Sequence, residues 1–273
     1  MPTEVFATVS RGLLSAVLVC TAGLADDRGP MLKPEPLEKY QVYIRETEAR
    51  IQQEVHSPRY LWAAQSPARW ERVSAGEVVV ETWNVKGDSH IGDAIIHDWI
   101  GALFIPGVRL NQVVSFLQDY GIHKNYYRPE VIESRLVSRN GNESTIHYRL
   151  VKKKLLTVVF DTDQTASYYP LSETRLYTSS HATRIMEIKD AGKPTERELP
   201  PGKDHGFLWR LNTYWRLEEK DGGVYVECQT ISLTREVPLG LGWLIDPIIR
   251  SLPGESLAHL LAATRAAVES RGR

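Results

Sequence analysis

The period of the hydrophobic positions changes along the chain and divides it into segments. Leu37, Tyr40, Ile44, Ile51 and Val55 recur at helical spacing, with Glu46 and Arg50 four apart on the outer side. This predicts an amphipathic helix over residues 37–55, packed on the elements after it. Ser57-Pro58 and Ser66-Pro67 mark the link that ends it. From about residue 77 the pattern becomes β-branched and aromatic, in Glu77–Trp83 and in Ile95–Ile100. After Ile105-Pro106-Gly107 a short helix is expected over Arg109–Tyr120, with Leu110, Val113, Val114 and Leu117 on one side. Strands follow over Val131–Ser138, Ser144–Leu150, Leu155–Asp161, Thr174–Ile188, Phe207–Leu217 and Val224–Thr234. A last helix spans Glu255–Ser270, its stripe being Leu257, Leu260, Leu261, Thr264 and Val268.

Two dipeptides indicate how strands pair. Asn140-Gly141 and Asp221-Gly222 are hairpin signals, since both central residues of the favoured turn take positive φ. With Asp221 and Gly222 at the turn, Leu217 opposes Val226, Trp215 opposes Cys228, Thr213 opposes Thr230 and Leu211 opposes Ser232. The other face carries Arg216 against Glu227 and Tyr214 against Gln229. An ion pair on one face and Val, Leu, Trp and Cys on the other predict that the second is the buried one. Cys228 then reads as a small core residue rather than a nucleophile. For the first hairpin a two-residue loop would put Ile146, Tyr148 and Leu150 on one face with Glu133 and Arg135, so its register stays open.

This order of elements resembles the START-like superfamily, which includes lipid-transfer and polyketide cyclase-like proteins. The resemblance is carried by Phe104–Gly107 leading into Arg109–Tyr120, by Tyr127–Ser134, and by Thr213–Arg216, Gly223–Glu227 and Ser232–Pro238. It covers roughly residues 77–270 and leaves residues 30–70 and the Pro/Gly-rich stretch Lys189–Gly206 outside. It implies an α+β helix-grip fold: a curved antiparallel β-sheet wrapped around a long C-terminal helix, with an apolar cavity between them. The helix over residues 37–55 is an addition at the N-terminal side. The superfamily has no common catalytic residues, so none is carried over.

Composition narrows the classes. The chain has 273 residues, 42% hydrophobic and 25% charged, an ordinary globular mixture. Its 33 basic and 34 acidic side chains leave a formal charge of −1, which gives no global footprint for nucleic acid. Arg11, the apolar run Leu13–Cys20, and the small residues Gly23 and Ala25 before Asp26-Asp27 have the layout of a secretory signal peptide. The run is too short to span a bilayer, which takes about 20 residues. The expected organisation is a signal peptide over residues 1–25, an N-terminal extension over 26–76 and a START-like domain over 77–270. The alternatives for the first segment are a buried amphipathic helix or an uncleaved anchor. Cleavage after Ala25 removes Cys20 and leaves Cys228 as the one thiol, so neither an internal disulfide nor a Cys-rich zinc site is expected. The expected location is periplasmic or secreted.

Candidate chemistry is sparse. The residues expected to line the cavity are Leu211, Thr213, Trp215, Val226, Cys228 and Thr230 from the sheet and Leu257 and Leu261 from the helix, with plain core packing as the alternative for each. His90 with His97, or His147 with His181, could meet across strands beside Asp93 or Asp98, but no closely spaced metal triad appears, and no metal or cofactor is expected. Asp161 and Asp163 share a strand face and read as a polar strand end rather than an acid/base pair. No nucleophile elbow, P-loop or dinucleotide fingerprint is present. Lys152-Lys153-Lys154 reads as an exposed turn or strand, with transient contact to an anionic membrane surface as the alternative. The leading expectation is an exported, non-catalytic protein that holds a hydrophobic small molecule or lipid. A cyclase- or hydrolase-like enzyme on the same scaffold would need polar residues converging inside the cavity. A cell-envelope interaction module would instead fill the cavity and expose an apolar patch.

Overall fold

The structure, a computed structural model, describes residues 31–83, 88–153, 157–236 and 242–272, with the side chains of the last segment described from residue 251. The leader read over residues 1–25 lies outside the described residues. Two helices, α1 (Pro34–Val55) and α2 (Pro67–Ser74), precede the strands β1 (Val79–Thr82), β2 (Ser89–Ile91) and β3 (Ala94–Pro106). Helices α3 (Leu110–Leu117) and α4 (His123–Tyr126) follow. Next come β4 (Val131–Asn140), β5 (Glu143–Lys153), β6 (Thr157–Pro170), β7 (Arg175–Lys189), the short β8 (Arg197–Glu198), β9 (Arg210–Lys220) and β10 (Gly223–Arg235). The chain closes with α5 (Gly242–Arg271), which starts well before the expected Glu255.

Among the described residues the strands form one antiparallel sheet in the order β1-β3-β10-β9-β7-β6-β5-β4, with β2 beside β3 and β8 beside β7. The last hairpin has the register read from Asp221-Gly222, with Leu217 against Val226, Trp215 against Cys228 and Thr213 against Thr230. Asp221 and Gly222 sit at φ 56° and 76°, the left-handed backbone that this turn needs. In the first hairpin Asn140 pairs with Glu143, so the central residues are Gly141 and Asn142. A bulge between Leu136 and Ser138 then shifts the register, and Glu133 and Arg135 oppose Arg149 and His147. The bulge keeps these charges off the face of Ile146 and Tyr148.

The concave face holds α5 through two close approaches. Leu261 sits over Gly101 of β3, and Trp99, also on β3, lies under Gly254 of the helix. A side chain at either glycine would collide there, so the helix rests directly on β3 along this line. Glu219 of β9 caps the other end of the layer: its carboxylate accepts from Leu110 N at 2.7 Å and so satisfies a free N–H at the start of α3.

The convex face corrects the sequence reading. Arg216, Glu227, Tyr214 and Gln229 were expected on the solvent side, yet all are buried. Helix α1 and the turn after it cover them. Arg216 donates to Glu54 at 2.8 Å and to Tyr60 O at 3.1 Å, and its Nε lies 3.3 Å from Glu227. Both oxygens of Glu227 accept backbone N–H groups, from Trp62 at 2.9 Å and Ala63 at 2.7 Å. Arg50, placed on the outer side by its spacing, turns inward. It donates to Glu54 at 2.9 Å and Gln229 at 3.0 Å and stacks 3.7 Å from the Trp83 ring centre. Its guanidinium is needed under the helix because Glu54 and Asp98 are there. The apolar stripe of α1 is spent on the sheet, with Tyr40, Ile51 and Val55 all buried.

Candidate functional site

Strand β9 lies in the middle of the sheet, yet Leu211, Thr213 and Trp215 on it are half-exposed while Asn212, Tyr214 and Arg216 between them are buried. The pattern inverts because the odd positions face a hollow and the even positions face α1. That hollow has a volume of about 690 Å³. Its sheet wall comes from the concave faces of β5, β6, β7, β9 and β10, and its roof from Leu252, Pro253, Leu257 and Leu260 of α5. It exists because α5 sits down on β3 while the sheet curves away from it toward β5 and β6.

The inner end, next to α3 and α4, is built from aromatic side chains. Tyr168 donates to Leu117 O at 3.1 Å, so the hydrogen in its 2.9 Å contact with Tyr120 comes from Tyr120. His123 Nε2 lies 3.1 Å from Phe116 O, a group that only accepts, so this nitrogen carries the hydrogen. Burial pushes the His123 pKa down to about 4, and the neutral ring then accepts from Tyr148 at 2.7 Å through Nδ1. Tyr127 closes the set with a 3.0 Å bond to Thr264 of α5. Burial raises the pKa values of Tyr148 and Tyr168 well above normal, so both stay neutral hydroxyls.

The outer end is more polar. Lys152 bonds to Glu130 and, at 2.7 Å, to Ser256, and Ser256 donates to Glu130 at 3.0 Å. This cluster ties β5, the start of β4 and α5 together. It also turns Lys152 away from the exposed role read for the Lys152–Lys154 run; Lys153 is exposed, and Lys154 lies outside the described residues. Across the opening, His97 of β3 is held at both nitrogens, by Asp88 at 2.8 Å and by Thr234 of β10 at 2.9 Å. His97 and Thr234 both face the cavity.

Leu211, Thr213, Trp215, Thr230 and Leu257 lie on the cavity wall. Val226, Cys228 and Leu261 do not: they are fully buried in the solid part of the core. The reason is Gly101, which pairs with Cys228 and lets Leu261 descend onto the sheet, leaving no hollow at that level. Burial raises the Cys228 thiol pKa well above normal, so it is no ready nucleophile. Two of the histidines considered for metal lie against carboxylates: His90 is 2.9 Å from Glu236 and His147 is 2.9 Å from Asp163. Asp161, paired with Asp163 in the sequence reading, receives two bonds from Arg149 at 2.7 and 2.8 Å. The tyrosine end and the Asp88–His97–Thr234 row were missed, because their members are scattered over the chain and meet only through the sheet.

An open antiparallel sheet curves round a terminal helix, with a hollow between them. The fold is helix-grip. No family model matches the chain, and no curated protein matches it. Among solved structures, TTHA0849 of Thermus thermophilus is similar at 14% identity and a TM-score of 0.47, over 64% of this chain and 98% of that one. A STAR-related lipid transfer protein fragment from Xanthomonas axonopodis is similar at 16% identity and a TM-score of 0.45, over 70% and 98%. The Zhui aromatase/cyclase of Streptomyces sp. R1128 is similar at 10% identity and a TM-score of 0.42, over 65% and 96%. At these scores the cavity itself, rather than any neighbour, has to support a function.

Proposed function

We propose that the protein holds a hydrophobic small molecule, with a lipid as the leading class, in the hollow between sheet and α5. One observation supports this above the others: about 690 Å³ of space roofed by leucines and a proline and floored by Leu211 and Trp215. The volume falls inside the range of roughly 300–1,000 Å³ typical of small-molecule sites. Each methylene transferred into such a space gains about 0.8 kcal/mol, so a medium-length acyl chain supplies enough free energy for tight binding. Holding is the function that this space by itself supports. Native mass spectrometry of protein purified from its host tests the reading. A bound species released on denaturation is expected. An empty protein that also takes up no apolar probe contradicts it.

Export belongs to the same proposal, on the strength of the leader read over residues 1–25. The expected mature chain begins at Asp26, and an intact-mass measurement on material from the host checks it. An N-terminus still at Met1 or Pro2 contradicts it.

A further inference from the structure

Asp88, His97 and Thr234 form a row whose hydrogens can be assigned one by one. A carboxylate only accepts, so His97 donates from Nδ1 to Asp88 across 2.8 Å. In the tautomer with its hydrogen on Nδ1, Nε2 is bare. Thr234 donates its hydroxyl hydrogen to that nitrogen across 2.9 Å, in preference to Arg235 O at 3.4 Å. The side chains of His97 and Asp88 are 1% and 4% exposed, so the row is shielded, with Thr234 its member nearest the end of the sheet. This is the hydrogen-bond order of a nucleophile, its general base and the group that orients the base.

The backbone opposite Thr234 is irregular. Trp209 N donates to Leu233 O at 2.8 Å, and Arg235 N donates to Gly206 O at 2.7 Å. Between those bonds Phe207 and Leu208 stand against Thr234 alone, so the chain bulges there. Both residues line the cavity. A bulge of this kind takes backbone N–H groups out of the ladder beside the hydroxyl.

We propose that the outer end of the cavity is an acyl-transfer site that hydrolyses esters of hydrophobic carboxylic acids, with Thr234 as nucleophile, His97 as base and Asp88 as the positioning residue. The inference rests on the reading that the hollow admits a hydrophobic molecule. Thr234 Oγ forms a bond to the ester carbonyl carbon while its proton passes to His97 Nε2. The carbonyl oxygen takes up the negative charge, and the N–H groups of the Phe207-Leu208 bulge are the donors assigned to it. The carbon–oxygen bond to the alcohol breaks as His97 returns the proton to the departing oxygen, leaving the acyl group on Thr234. Water, losing a proton to the same nitrogen, then attacks the acyl carbon, and the acid leaves as Thr234 regains its hydrogen. The acyl chain of the substrate lies along the wall made by Leu211 and Trp215.

The test uses p-nitrophenyl octanoate with the full chain, alongside displacement of an uncharged apolar fluorophore. Wild type is expected to release p-nitrophenol and to show an octanoyl adduct on Thr234 by mass spectrometry. Thr234→Val, nearly the same shape, should lower kcat by about 1,000-fold in a protein that still takes up the fluorophore. Thr234→Ser should keep turnover. Asp88→Asn should lower kcat with little change in KM, the mark of a residue acting through His97. Fluorophore binding with turnover no greater in wild type than in Thr234→Val overturns the hydrolytic site and leaves the holding function standing. Absence of fluorophore binding overturns both.

Discussion

Leu261 Cδ1 lies 2.7 Å from where a Cβ on Gly101 would stand, so the absence of a side chain on β3 sets how deep α5 sits. The same site is hemmed by Val80 at 2.9 Å and by the backbone oxygen of Val79 at 3.1 Å. Gly101→Ala is therefore expected to lower stability by about 1–3 kcal/mol through overpacking. Adding Leu261→Ala should recover part of that loss, because the two changes share one contact. Denaturant unfolding of the two single variants and the double variant checks this. Strict additivity would show that the glycine does not set the seat of the helix.

The convex layer makes a second prediction. Arg216 and Glu227 have side chains 4% and 1% exposed, and removing the cation leaves a buried carboxylate without its partner. Arg216→Met should lower stability by about 3–5 kcal/mol. Glu227→Gln in the same background should return part of it, since the amide still has an oxygen for the N–H groups of Trp62 or Ala63. Chemical denaturation measures both, and an Arg216→Met protein as stable as wild type contradicts the role given to α1.

Asp98 beneath α1 carries a pH dependence of definite sign. Burial pushes its pKa up to about 6 from 3.8, against the opposing bonds from Gln229 and Tyr43. A raised carboxyl pKa means that the folded state holds the proton more tightly than the unfolded chain. Its contribution is fully present below pH 4 and is lost as pH rises through about 6. The span corresponds to roughly 3 kcal/mol. Asp98→Asn is expected to be more stable than wild type at pH 8 and to lose that advantage below about pH 4. Unfolding midpoints across this range test it; a constant difference would rule out titration of Asp98 as the cause.

Much of the fold was legible where the signal is local. The Asp221-Gly222 turn sets the register of β9 and β10 because positive φ at two adjacent residues selects one kind of hairpin. The cavity wall was legible in part for the same reason: knowing the register puts Leu211, Thr213, Trp215 and Thr230 on one face. The depth of α5 was not legible, because it depends on Gly101 meeting Leu261, and this is why Val226, Cys228 and Leu261 were expected on the wall. The burial of Arg216 and Glu227 was not legible either. An ion pair marks a solvent face only until another element covers it, and here α1 brings Glu54 to complete the network. His97 was noticed as a metal candidate, but its partners come from Asp88 before it and Thr234 far after it.

The most direct test of the account is to fill the hollow. Thr213 stands half-exposed on the floor of the cavity between Ser180 and Thr230, so Thr213→Phe places a ring in the empty space without displacing core atoms. Titration with N-phenyl-1-naphthylamine, read by fluorescence, should show affinity at least about 10-fold weaker in the variant than in wild type, a loss of roughly 1.4 kcal/mol. The thermal midpoint should stay the same or rise. Equal affinity in a folded Thr213→Phe protein would mean that apolar molecules bind elsewhere and that the space beneath α5 is not the binding site.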